Sequence, residues 1–147
     1  MITLTDGAKQ KFLEIVKAEG REGHGLRVIT GPVETRPGLV AAPWRPHAQF
    51  ADDGGELVAT RFVWAALDCP GGIAALEGDP RPILLARFRG RIDRRPRVGE
   101  RCRTIGWAIS HDGRKHLAGA AIIDEAGGVL GRAESLWIEP RSDAHGS

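Results

Sequence analysis

Asp68 stands inside the most apolar stretch of this 147-residue chain, Phe62-Val-Trp-Ala-Ala-Leu-Asp-Cys-Pro-Gly-Gly-Ile-Ala-Ala-Leu76. A carboxylate among apolar neighbours is costly unless it is paired, hydrogen-bonded or engaged in chemistry. Such a group can take a proton from water, or attack a carbonyl itself, beside donors that hold the developing oxyanion. Gly71 and Gly72 follow within a turn, and a helix broken there would present backbone N–H groups as those donors. The bland alternative stays open: Asp68 caps a second helical half, with Pro70 in its first turn. Cys69 would be a nucleophile if a helix N-terminus lowered its pKa, or a small hydrophobe if it did not. Cys102, between Arg101 and Arg103, has neither a paired thiol nor a clear base.

His111 and His116 flank a hairpin turn and can face each other across two strands. Two imidazoles without a third ligand at suggestive spacing do not define a metal site, so surface histidines are the expectation and no metal is assigned. His47, in Pro43-Trp44-Arg45-Pro46-His47, lies upstream of the apolar segment and is a second candidate contact for a ligand. Eight arginines fall between Arg87 and Arg103, opposed only by Asp93 and Glu100, a local charge of +6. Guanidinium groups such as Arg89 and Arg91 suit phosphates, through bidentate hydrogen bonds, although a solvated face is the default for each. Nucleophile-elbow serines, phosphate-cradling Gly-rich Lys-Ser/Thr loops and His-Glu-x-x-His zinc helices are all missing.

These residues need elements to position them. Residues 1–20 read as an amphipathic helix, with Ala8, Phe12, Leu13 and Val16 on one face, Thr5 as N-cap and Gly20 as stop. Leu26–Thr30 and Gly38–Ala42 are short strand candidates, and Pro46–Glu56 is a loop. Phe62–Leu76, apolar nearly all round, predicts a helix buried on every side, kinked at Pro70 and the glycine pair. From Leu84 the period becomes two, with Leu84, Ala86, Phe88, Gly90 and Ile92 alternating against Arg87, Arg89 and Arg91. Arg101–Ser110, Arg114–Ile123 and Val129–Ile138 follow, joined by hairpin chemistry at His111-Asp112-Gly113 and Asp124–Gly128. Four consecutive strands on short links predict an antiparallel meander. A sheet needs its apolar face covered, and a curved sheet wrapped around the apolar helix satisfies both elements.

Composition bounds the rest. Hydrophobic residues are 41%, charged residues 27% and the formal charge +2, which describes a globular domain and not a disordered chain. Two cysteines cannot build a disulfide scaffold. No apolar run reaches the ~18 residues of a membrane span, and Met1–Asp6 lacks the pattern of a signal peptide, so a soluble cytoplasmic protein without membrane contact is expected. Tyrosine is absent and phenylalanine numbers four, so the basic stretch lacks the aromatic interleaving of a nucleic-acid surface.

The apolar helix with its Leu67-Asp68-Cys69-Pro70-Gly71-Gly72 run, followed by such strands, resembles the hotdog-fold, thioesterase-like superfamily. Val98-Gly99-Glu100, Gly106-Trp107, Asp112-Gly113-Arg114-Lys115 and the closing Gly131–Ile138 add to the likeness, which covers residues 25–140. The resemblance implies an α+β hotdog fold, a homodimer with a continuous sheet, whose further pairing into a tetramer the sequence leaves open, and acyl-CoA or other acyl-thioester ligands at the subunit interface. It implies no cofactor beyond the coenzyme A of the substrate. Asp68 matches the helical carboxylate that activates water in many members, making acyl-CoA hydrolysis the expected reaction. Gly71 and Gly72 would then offer donors, Trp64 would line an acyl pocket, and His47, Arg89 and Arg91 would contact the ligand. Many members open this helix with His-Gly-Gly, where this chain has Phe62-Val63-Trp64, and a non-catalytic binding or interaction module of the same fold is the alternative. A hydratase would want histidine five residues after Asp68, where Ile73 stands. The first thirty residues, Ile2–Ala8 and Gly25-Leu26-Arg27-Val28, resemble the opening of HesB-like A-type iron–sulfur carriers. Those proteins use three cysteines, a set this chain lacks, so an iron–sulfur carrier is a remote alternative. The domain plan is an N-terminal helix over 1–20, a hotdog domain over 25–140 and a polar tail over 141–147.

Overall fold

The computed structural model describes residues 31–34, 36–53 and 55–141. The predicted N-terminal helix, the Leu26–Thr30 strand and almost all of the tail lie outside these residues. Within them the chain forms β1 (Gly31–Val33), β2 (Arg36–Trp44), a single 3-10 turn (Ala48–Phe50), α1 (Thr60–Ala75), β3 (Leu84–Ile92), β4 (Cys102–Asp112), β5 (Lys115–Asp124) and β6 (Val129–Ile138). All six strands belong to one antiparallel sheet, in the order β1-β2-β4-β5-β6-β3.

That order corrects the expected four-strand meander. β4, β5 and β6 are consecutive neighbours, but β3 pairs with β6 at the far edge and makes no ladder with β4. The reason lies in the connection from β3 to β4, which is long enough to cross the end of the sheet. The N–H groups of Asp93 and Arg94 donate to the Leu130 carbonyl at 2.9 and 3.0 Å, and Val58 N–H donates to Pro96 at 2.9 Å, tying that crossing in place. The other links are true hairpins. Asp112 pairs with Lys115 across a two-residue turn in which Gly113 takes a φ of +55°, a conformation that suits glycine.

α1 runs unbroken from Thr60 to Ala75 with Pro70 in its interior, so the predicted break at Pro70-Gly71-Gly72 does not occur. Proline there removes one backbone bond and crowds the preceding turn. Tertiary packing overrides that cost. Pro70, Gly71 and Gly72 are all buried, and Gly106 on β4 meets the Pro70 carbonyl where any Cβ would collide with it. The core gathers Val58, Val63, Leu67, Cys102, Ile122 and Leu130, with Trp44, Phe50, Phe62, Trp64 and Phe88 packed against it. Small residues on β5 (Ala118 and Ala120) let the helix lie close to the sheet. No helix among the described residues is long and apolar enough to cross a membrane.

Candidate active site

Helical spacing places Trp64, Asp68 and Gly72 in one i, i+4, i+8 row on a flank of α1. The contacts at both ends of the row fix where that flank faces. The Trp64 ring meets Phe88 edge-on, with centroids 5.8 Å apart, and a Cβ on Gly90 would lie 2.8 Å from it, so this end abuts β3. At the other end a Cβ on Gly72 would lie 2.9 Å from the Trp137 ring of β6. Asp68 therefore sits in a row flanked by two indoles and turned toward the β6–β3 side of the sheet.

Asp68 Oδ1 is buried and has no hydrogen-bond partner. This removes the capping alternative, since a capping carboxylate would accept backbone N–H groups and the unbroken helix offers none there. Burial pushes the Asp68 carboxyl above the ordinary carboxylate range. The unbroken helix also corrects the expected role of Gly71 and Gly72. Their N–H groups point back along the helix toward the carbonyls four residues earlier and are not free donors. What the two glycines supply is room: for the Trp137 ring at Gly72, and at Gly71 for Ser135 Oγ, which would lie 2.7 Å from a Cβ there. Ser135 Oγ in turn accepts the Trp137 Nε1–H at 2.8 Å, which fixes the indole that walls the row.

Free donors exist at the start of α1 instead. Its N-cap is Ala59, which provides no side-chain bond; its carbonyl takes the Phe62 and Val63 N–H groups at 2.9 and 3.4 Å, which leaves those of Thr60 and Arg61 without an acceptor among the described residues. Sequence reasoning missed these donors, and missed Ser135 and Trp137 as well. Period-two alternation through Ala133, Ser135 and Trp137 was the available signal that they share the helix-facing side.

The remaining candidates separate. His47 is exposed in the loop after β2, where its Nδ1 accepts the Gln49 N–H at 3.2 Å and caps the 3-10 turn. Arg89 and Arg91 are exposed on β3, opposite Glu134 and Arg132 of β6, on the face away from Trp64. The basic stretch itself is largely neutralised, because carboxylates from distant sequence meet it. Six of its eight arginines have a carboxylate partner: Arg87 with Glu134, Arg91 with Asp93, Arg94 with Glu100 and Asp124, Arg95 with Asp52, Arg97 with Glu56 and Arg101 with Glu125. Arg89 and Arg103 have none among the described residues. Glu100, accepting from Arg94, is held below the ordinary carboxylate range.

Neither thiol is an activated nucleophile. Partial burial and the neighbouring Asp68 carboxylate push Cys69 up, and burial pushes Cys102 up to about 11. His116 is no surface histidine: it is 2% exposed, with its Nε2 2.7 Å from Glu139 Oε1, and its ring stacks on that of exposed His111.

No family model matches the sequence, and no curated protein matches it. Solved structures do match the fold. Zebra fish thioesterase superfamily member 2 superposes with a TM-score of 0.67 at 13% identity, over 94% of this chain and 100% of that one. A mutant of the phenylacetic acid degradation protein PaaI from Thermus thermophilus gives 0.63 at 15%, over 71% of this chain and 88% of that one. A Streptococcus mutans protein bound to acetyl-CoA gives 0.66 at 7%, over 80% of this chain and 93% of that one. Among the described residues, the six-stranded antiparallel sheet packed on α1 is the hotdog fold, as the sequence resemblance implied.

Proposed function

We propose that the chain is an acyl-thioester hydrolase acting on acyl-CoA in the cytoplasm, with Asp68 as its catalytic carboxylate. The observation that carries this reading is the buried, unpartnered Oδ1 of Asp68 in a row flanked by Trp64 and Trp137. A half-buried carboxylate with one oxygen out of water and no partner costs stability, a cost that function can justify. Its chemistry fits the reaction. Ionised Asp68 takes a proton from water, the water oxygen bonds to the thioester carbonyl carbon, and the carbon–sulfur bond then breaks as Asp68 hands that proton to the leaving sulfur, releasing the thiol and the carboxylic acid. The two indoles are suited to line the acyl group. The hotdog proteins bound to coenzyme A or acetyl-CoA support this choice of ligand.

The acting unit in this reading is a homodimer joined through β3. Among the described residues that strand is bonded to β6 on one side only, and Leu84 and Leu85 on it are 64% and 41% exposed. The Asp68 row faces the same edge. Two surface clefts of the single chain, one beside Glu56 and Arg97 and one beside Trp44 and Arg103, are not lined by Asp68. A second copy across β3 would close the site. The test is Asp68→Asn, with binding and turnover measured separately. Loss of thiol release with acyl-CoA binding retained supports the hydrolase. Turnover absent from both forms, with binding retained, replaces it by a binding module.

A further inference from the structure

We propose that His111, His116 and Glu139 form a site for one divalent transition-metal ion of the Zn2+ type. The β4–β5 register sets the two histidines directly opposite each other, with ring centroids 4.4 Å apart and planes 19° apart. The third ligand comes from outside the hairpin. Glu139 follows β6, and its N–H donates to the Arg114 carbonyl at 2.9 Å, which holds it beside the β4–β5 turn. Its Oε1 lies 2.7 Å from His116 Nε2, and one ligand atom from each of the three residues lies within 4.8 Å of the others.

The tautomers set what binding displaces: a carboxylate only accepts, so His116 Nε2 carries its proton toward Glu139 and releases it when the ion binds. His111 Nε2 is 2.6 Å from the Gly113 carbonyl oxygen, which can only accept, so the ring proton is on Nε2 and Nδ1 keeps a free lone pair. A ring nitrogen committed to a carbonyl or carboxylate is how metal-binding imidazoles are oriented. His116, at 2% exposure, cannot swing into solvent and forms the fixed side of the site, while exposed His111 adjusts. Ligands on a tetrahedral zinc ion stand about 3.3 Å apart, so closure asks His111 to turn out of its stack on His116 and Glu139 Oε1 to draw back from its 2.7 Å contact with His116 Nε2. Two imidazole nitrogens with one carboxylate oxygen select Zn2+, Cu2+ or Ni2+ over Mg2+ or Ca2+.

The cluster already attracts one positive charge. Arg81 Nε lies 2.8 Å from Glu139 Oε1, and its Nη2 lies 3.5 Å from His116 Nδ1. Arg81 is thus the resident cation that an ion must displace, and Asp79, 2.9 Å from Arg81 Nη1, stays available to it afterwards. This competition gives the proposal a signature that scattered surface binding lacks.

The experiment is calorimetric titration of ZnCl2 into the EDTA-treated, dialysed full chain without a histidine tag, beside His111→Ala, Glu139→Gln and Arg81→Gln. The expected result is one saturable ion per chain, weakened roughly tenfold or more by His111→Ala and Glu139→Gln, and tightened by Arg81→Gln. His111 is exposed, so its alanine variant keeps its metal-free melting temperature but loses the rise that zinc gives the wild type. Binding absent, unsaturable, or as tight in His111→Ala as in the wild type overturns the proposal, as does weaker binding in Arg81→Gln.

Discussion

Asp68 costs stability where it stands, and that cost has a sign that can be measured. Burial raises its carboxyl pKa, so the folded chain holds a proton that the unfolded chain has already released. Stability therefore falls as pH climbs from the unfolded value, about 3.9, through the raised folded value. Asp68→Asn removes that loss, so melting curves taken from about pH 4 to about pH 8 should show an advantage for the variant that grows with pH. A wild type more stable than Asp68→Asn at pH 8 would mean that the carboxylate has a structural partner after all. Catalysis runs the other way: kcat should drop roughly 10²- to 10⁴-fold in Asp68→Asn. For the wild type the acid limb of kcat/KM should lie above the ordinary carboxylate range, because the base works only when ionised. The residue that matters most was legible in the sequence, since a charge in an apolar run stands out. Its surroundings were not, because Ser135 and Trp137 come against Gly71 and Gly72, one turn further along α1, from β6, more than sixty residues on.

The glycines of α1 and the strands beneath it set how close helix and sheet come. Gly106→Ala puts a methyl group into the Pro70 carbonyl, a contact between two backbones that no side-chain rotation relieves. Gly71→Ala meets only the Ser135 hydroxyl, at 2.7 Å. Thermal unfolding should therefore rank Gly106→Ala well below Gly71→Ala, the former losing about 1–3 kcal/mol or more by overpacking. Equal losses would show that the approach at Pro70 is not the limiting contact. The sequence placed this helix and all four later strands within a few residues, because apolar runs and period-two alternation are local signals. It erred where the deciding contacts are distant. The helix runs on past Pro70 where that residue packs against β4, and β3 was sent past β4 to β6 by a connection whose anchors at Leu130 and Val58 no local pattern announces.

At the scale of the whole molecule, two features turn toward the β3 edge: the exposed leucines and the Asp68 row. If β3 joins two copies, sedimentation equilibrium should give twice the chain mass, and Leu84→Glu with Leu85→Glu should shift it toward one and reduce turnover together. A monomeric wild type with full activity would separate the site from the interface. Charge was the least legible property at this scale. The arginine stretch reads as a basic patch in sequence, yet folding brings Asp52, Glu56, Asp124, Glu125 and Glu134 against it, and only pairing in space could reveal that. The most direct test of the account is thiol release from a panel of acyl-CoA thioesters of increasing chain length, with wild type and Asp68→Asn side by side. The account predicts hydrolysis of at least one thioester by the wild type and its loss in the variant; equal hydrolysis by both would contradict it.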